Sequence, residues 1–99
     1  MKNYSSDEIL EILERHRELL RKYRVKRIGL FGSFSRNESN NESDIDLLVD
    51  FDEKSLDNFI DLAFELEKIF YRKVDLLTEK GISPYILPYV WNEVQWYEA

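Results

Sequence analysis

The sequence predicts an α/β domain of three short strands and three helices. Apolar residues recur at spacings of three and four in two long segments, 6–23 and 56–70. Short β-branched or apolar runs at 25–31, 44–51 and 73–78 lie between them and after them, and Gly, Ser and Asn mark the breaks. Periodicity gives the elements and leaves the pairing of the strands open.

Taken in order, Ser5 followed by Glu8 reads as a capping box, and Ile9, Ile12, Leu13, Leu19, Leu20 and Tyr23 continue it as a first helix over 6–23. Glu11, Glu14, Arg15, Arg17, Glu18, Arg21 and Lys22 cover its other face with mixed signs, which suits a solvated surface. His16 on this helix is read as a surface or half-buried residue without a catalytic role. Residues 25–31, closed by Gly32, form the first strand, and Lys26 and Arg27 at its start are read as surface residues in preference to phosphate contacts. Residues 33–43 are too poor in apolar side chains for a core element, with room for one or two helical turns at 33–37. Residues 44–51 set Ile45, Leu47, Leu48 and Val49 among carboxylates as the second strand.

Ser55 caps a second helix whose stripe of Leu56, Phe59, Ile60, Ala63, Leu66, Ile69 and Phe70 is explained by core packing. Residues 73–78 are the third strand. A final helix is expected over 82–97 after Gly81, with Pro84 near its start; Pro88 either breaks it near Leu87 or begins it there.

Composition narrows the function. The 99 residues suit one domain spanning 1–99, with three glycines and two prolines arguing against disorder. Twenty acidic against 14 basic residues give a net charge of −6, the wrong sign for stable nucleic-acid binding through phosphates. Without cysteine there is no disulfide, thiolate catalyst or cysteine zinc site, and one histidine supplies no multi-histidine cage. Any metal is held by oxygen. No run approaches the ~20 apolar residues of a membrane span, and residues 1–7 have neither a basic nor an apolar leader region, so a cytoplasmic protein with no membrane contact is expected.

The chemistry gathers around three acids. Strand alternation points Asp44 and Asp46 to one face, roughly 7 Å apart, while Ile45, Leu47 and Val49 face the core. Asp75, between Val74 and Leu76, projects from the same face if those two share that core. Three converging carboxylates repel unless a cation compensates them. Mg²⁺ suits oxygen ligands and commonly combines one or two carboxylates with substrate phosphates. Gly32-Ser33 offers a phosphate site through backbone N–H groups and a hydroxyl, and Arg36 adds a fork of donors or pins the loop.

Gly32-Ser33, Arg36 three positions later, and Ser43-Asp44-Ile45-Asp46-Leu47-Leu48-Val49, with Asp44 eleven positions after Ser33, resemble the signature of the minimal nucleotidyltransferases of the DNA polymerase β-like superfamily. The resemblance spans residues 27–78. It implies that superfamily's fold, a small mixed sheet of three to four strands with three to four helices. It further implies Asp44, Asp46 and Asp75 as catalytic and metal-binding residues, Gly32, Ser33, Arg36 and Ser43 as the phosphate-binding set, two Mg²⁺ ions, and ATP as substrate. Proteins similar to this one are commonly antitoxins of a HEPN-domain ribonuclease toxin, to whose tyrosine they transfer AMP, so a hetero-oligomer with such a toxin is also implied. Ser35 and Asn37 stand where many relatives have a small residue and glycine; Ser is small, and Asn tolerates left-handed backbone.

Two other readings stand beside this one. A non-catalytic antitoxin would neutralise its partner by capture, and a small-molecule or RNA nucleotidyltransferase would modify another acceptor. The acidic balance and the lack of a substrate domain count against the latter. The aromatic tail, Tyr85, Tyr89, Trp91, Trp96 and Tyr97, is either an interface or packing on the sheet.

Overall fold

The computed structural model describes residues 4–40, 42–53 and 55–99. Residues 1–3 of the segment read as leaderless, and Asn41 of the polar segment, lie outside the described residues. The elements run α1 (Ser6–Arg15), α2 (Arg17–Lys22), β1 (Val25–Phe31), β2 (Ile45–Phe51), α3 (Leu56–Phe70), β3 (Val74–Leu77), a 3₁₀ turn (Glu79–Gly81), α4 (Leu87–Glu93) and β4 (Gln95–Glu98). Among the described residues, four helices thus accompany a four-stranded mixed sheet of order β3-β2-β1-β4.

The capping box forms as expected. Glu8 N–H donates to Ser5 Oγ, and Ser5 N–H donates to Glu8 Oε1, both at 3.1 Å. The first helix, however, is two. His16 leaves helical geometry at φ −109° and ψ 24°. Its ring Nδ1 lies 2.8 Å from the Ile12 carbonyl, while its own backbone N–H turns to Leu13. A side chain that takes the i−4 acceptor competes with the ladder, and the helix breaks there.

β1 pairs antiparallel with both β2 and β4, and β2 pairs parallel with β3. Parallel neighbours need a long crossover, which α3 supplies. On one face, Ile9 and Leu13 of α1, Leu20 of α2, and Leu62, Leu66 and Phe70 of α3 close over Ile28, Leu30, Ile45, Leu47, Val49, Val74 and Leu76. A register shift between Val25 and Arg27 lets Val25 share that face. The opposite face carries a smaller core of Phe31, Leu48 and Val90, with Leu77, Ile82, Val94 and Trp96 packed against it. Every acid of interest stands on or beside this second face.

The C-terminal segment departs from expectation. In place of a helix over 82–97, α4 starts at Leu87 with Pro88 in its first turn, and Val94 turns extended at φ −65° and ψ 133°. Pro88 cannot join an established helix but suits a helix start. Gln95–Glu98 then pairs with β1, with Ile28 opposite Tyr97 and Gly29 opposite Trp96. Asp44 precedes β2 instead of starting it, and β3 is trimmed to Val74–Leu77.

Gly29 makes the α4–β4 cover possible. A Cβ there would stand 2.4 Å from Val94 Cγ2 and 2.9 Å from Trp96 Cε3. Gly29→Ala should therefore cost about 1–3 kcal/mol by overpacking. Urea unfolding measures this, and an unchanged midpoint would contradict the packing described.

The aromatic tail divides accordingly. Tyr97 packs against the larger core, and Trp91 and Trp96 lie 5.8 Å apart with the Arg27 guanidinium 3.9 Å from the Trp96 ring centre. Arg27 also reaches Asp50 at 3.3 Å, so it belongs to this face. Tyr85, Ile86 and Tyr89 remain exposed.

Candidate active site

The centre of the site is Asp46. It lies opposite Phe31 on β1 and opposite Asp75 on β3, so two carboxylates of adjacent strands share one face. Asp44, just before β2, adds a third charge near them. The Asp46 carboxyl is pushed up to about 6, first by burial, then by the charges of Asp75 and Asp44, a hydrogen bond with Asp75, and the charge of Glu93. Of the three acids expected to converge, Asp46 and Asp75 are thus paired across the strands, and Asp44 adds its charge from the loop ahead of β2.

Gly32 closes the space from the β1 side. Its φ is +75°, in the left-handed region, and a Cβ there would lie 2.2 Å from Asp46 Oδ2. Only glycine lets the turn approach the carboxylate so closely. After it the chain coils through successive turns: Ser35 and Arg36 N–H groups donate to the Gly32 carbonyl, and Glu38 N–H donates to that of Ser33. Asn37 takes φ 55°, the left-handed backbone that its type tolerates. Its side-chain oxygen accepts from Ser6 N–H at 3.0 Å, tying the turn to α1.

Ser33 follows Gly32 at the mouth of this turn, half-buried. Ser43 is bonded within its own loop. Its hydroxyl accepts from Asn40 N–H at 2.9 Å, and its carbonyl accepts from Arg72 Nη1 at 2.9 Å. Ser43 therefore shapes the loop that leads to Asp44 through these bonds.

Three participants escaped sequence reasoning. Arg72 is buried, lies 5.2 Å from the Phe34 ring centre, and donates to the Asn40 and Ser43 carbonyls. Lys73 Nζ stands 3.7 Å from Asp44 Oδ2, a weak pair given its exposure. Glu93 is the third. It accepts from Gly32 N–H at 3.1 Å and from Arg36 Nη1 at 2.6 Å. That hydrogen bond and the Glu93 charge, then Glu38, hold Arg36 above its ordinary value. Glu93 is the only charged residue of α4, the one signal that could have marked it.

The donor set fits a hard cation. Among the described residues no group of three or more His, Cys, Asp or Glu forms a ready-made metal cage. Asp46 nevertheless carries an excess of neighbouring negative charge. Mg²⁺ commonly takes one or two carboxylates and fills its remaining positions with water and phosphate oxygens.

Comparison with known proteins places this geometry. Residues 8–97 match the model of the nucleotidyltransferase domain. A Methanocaldococcus jannaschii protein, provisionally named a protein adenylyltransferase, is 50% identical over 84 residues, covering 80% of this chain and 84% of its own. Protein adenylyltransferase MntA of Thermococcus cleftensis is 41% identical over 90 residues, covering 89% and 91%. The chain belongs to the nucleotidyltransferase domain family. Among solved structures, one described provisionally as a minimal nucleotidyltransferase superposes with a TM-score of 0.80 at 28% identity, covering 96% of this chain and 98% of its own. A structure of the tri-AMPylated Shewanella oneidensis HEPN toxin in complex with MNT antitoxin shares the fold, with a TM-score of 0.64 at 22% identity, covering 92% of this chain and 73% of its own. Among the described residues no helix is long and apolar enough to cross a membrane.

Proposed function

We propose that this nucleotidyltransferase transfers AMP from ATP to a hydroxyl, a tyrosine, of a HEPN-domain toxin, and so acts as an antitoxin in the cytoplasm. The observation that carries this reading is the pairing of Asp46 with Asp75 beside the glycine turn at Gly32. The kinship with protein adenylyltransferases supports AMP as the group transferred. The fold shared with an antitoxin that accompanies a HEPN toxin supports the class of partner.

In the reaction the acceptor oxygen attacks the α-phosphorus in line, its proton is released, and pyrophosphate leaves. Asp44, Asp46 and Asp75 would hold two Mg²⁺ ions, which when bound neutralise triphosphate charge and ease deprotonation of the acceptor. Gly32 and Ser33 hold the departing phosphates through backbone N–H groups and a hydroxyl, and Arg36 adds its guanidinium. Asp75 serves the acceptor side of the site, so its loss should cost more in turnover than in nucleotide binding. Ser43 shapes the loop ahead of Asp44, and its hydroxyl hydrogen is left to donate to a phosphate oxygen. The exposed Tyr85, Ile86 and Tyr89, on and just ahead of the helix that carries Glu93, offer apolar area for the partner.

Intact-mass spectrometry of the HEPN toxin after incubation with this protein, ATP and Mg²⁺ tests the reading. A gain of one or more AMP units is expected, lost with a chelator and in an Asp44→Asn, Asp46→Asn double variant. No gain from a stable complex would overturn transfer in favour of capture alone.

A further inference from the structure

We infer that Glu93 is a resident anion in the triphosphate pocket and sets how tightly that pocket takes nucleotide. The inference rests on the nucleotide reading of the Gly32 turn. Two donors of that turn suited to a phosphate are already used. Gly32 N–H gives its hydrogen to Glu93 Oε1 at 3.1 Å, and Arg36 Nη1 gives one to Oε2 at 2.6 Å. A planar carboxylate thus bridges a backbone N–H and a guanidinium, the donor pair that an oxyanion of phosphate would bridge. Glu93 comes from α4, 61 residues along the chain from Gly32, so this is a tertiary contact built by the fold.

The charge balance fixes its consequence. Glu93 faces one partner guanidinium, which Glu38 also approaches at 3.5 Å. An incoming triphosphate brings several more negative charges to the same donors. Gly32 has a single N–H and the Arg36 Nη1 hydrogen is turned to Glu93, so nucleotide that takes these two donors displaces the Glu93 side chain. The energy of the Glu93 contacts is then subtracted from nucleotide affinity. Displacement also unpins the last residue of α4, a helix that carries Tyr89 and Trp91.

The protein contains its own reporter. Its two tryptophans, Trp91 and Trp96, flank Glu93 on either side in sequence, so their emission should change as nucleotide replaces the carboxylate. Titration of the full chain with the non-hydrolysable analogue AMP-PNP and Mg²⁺, read by calorimetry and by tryptophan emission, tests the inference. Glu93→Ala should bind the analogue about 3- to 10-fold more tightly than the native chain, the range expected when a partly exposed ion pair and a charge-assisted hydrogen bond no longer compete. Glu93→Gln, which keeps an acceptor for Gly32 N–H and gives up the charge, should fall between them. The emission change on binding should shrink in Glu93→Ala.

If Glu93 merely props the turn, both variants bind more weakly or equally, and the inference is overturned. Should Glu93→Ala fail to fold, the order of Glu93→Gln against the native chain decides it. Ser33→Ala and Arg36→Ala separate the two levels of the argument. Affinity that responds to them but not to Glu93 overturns only the resident anion. Affinity that ignores all four variants, or no binding at all, overturns the nucleotide reading with it.

Discussion

Asp46→Asn is expected to melt at a higher temperature than the native protein at pH 8 and to have lost transfer. The ordinary carboxyl value is 3.8, and in the folded chain Asp46 is pushed up to about 6, with burial the largest cause. The folded state therefore holds this proton more tightly than the unfolded chain does. Stability contributed by Asp46 is complete below the unfolded value and is lost as pH rises through about 6. At pH 8 the carboxylate is an unrelieved charge. The full shift would be worth about 3 kcal/mol, and partial exposure of the side chain reduces it to about 1–2 kcal/mol. In a domain of this size that corresponds to roughly 4–15 °C in melting temperature.

Asparagine removes the charge and keeps the shape, so the gain should appear at pH 8 and fade by pH 4. Transfer should fall about 1000-fold or more, the scale of losing several kcal/mol of charge stabilisation. Calorimetric scans from pH 4 to 8, with and without Mg²⁺, read both effects. A variant that melts lower than the native protein at pH 8 would show that Asp46 is not strained by its neighbours. Added Mg²⁺ should raise the melting temperature of the native protein at pH 8 and leave the variant nearly unmoved.

Gly32→Ala should injure stability and transfer together. The new Cβ meets Asp46 Oδ2 at 2.2 Å, and the backbone is held at φ +75° whatever the space. Left-handed backbone without glycine costs about 1 kcal/mol, with more for the displaced carboxylate. The movement carries Asp46 away from Asp75 and turns the Gly32 N–H off its line. Transfer at the native rate in a folded Gly32→Ala would remove the close approach of turn and acid from the mechanism.

Much of this site was legible because strand alternation and charge act locally. Val74, Asp75 and Leu76 occupy alternating faces wherever the strand lies, so pairing β3 with β2 brings Asp75 to Asp46. Asn37 was legible for its backbone tolerance alone. The break at His16 was not, because one side-chain bond to Ile12 decides it within a run of helical spacing. Gln95–Glu98 has aromatic residues that suit either structure, and only the free edge of β1 makes it a strand. Glu93 and Arg72 were beyond periodicity altogether. Each acts on chain far from it in sequence, Glu93 on Gly32 and Arg72 on Asn40.

The register of the parallel pair doubles as quality control. Ile45 stands against Val74, Asp46 against Asp75, and Leu47 against Leu76. Because side chains alternate with a period of two, sliding β3 by one residue would drive Asp75 into the hydrocarbon interior and expose Val74 and Leu76 to water. A misaligned copy is penalised on both faces at once. Molecules that complete the apolar interior are therefore spared the one-residue slip, which would separate Asp75 from Asp46.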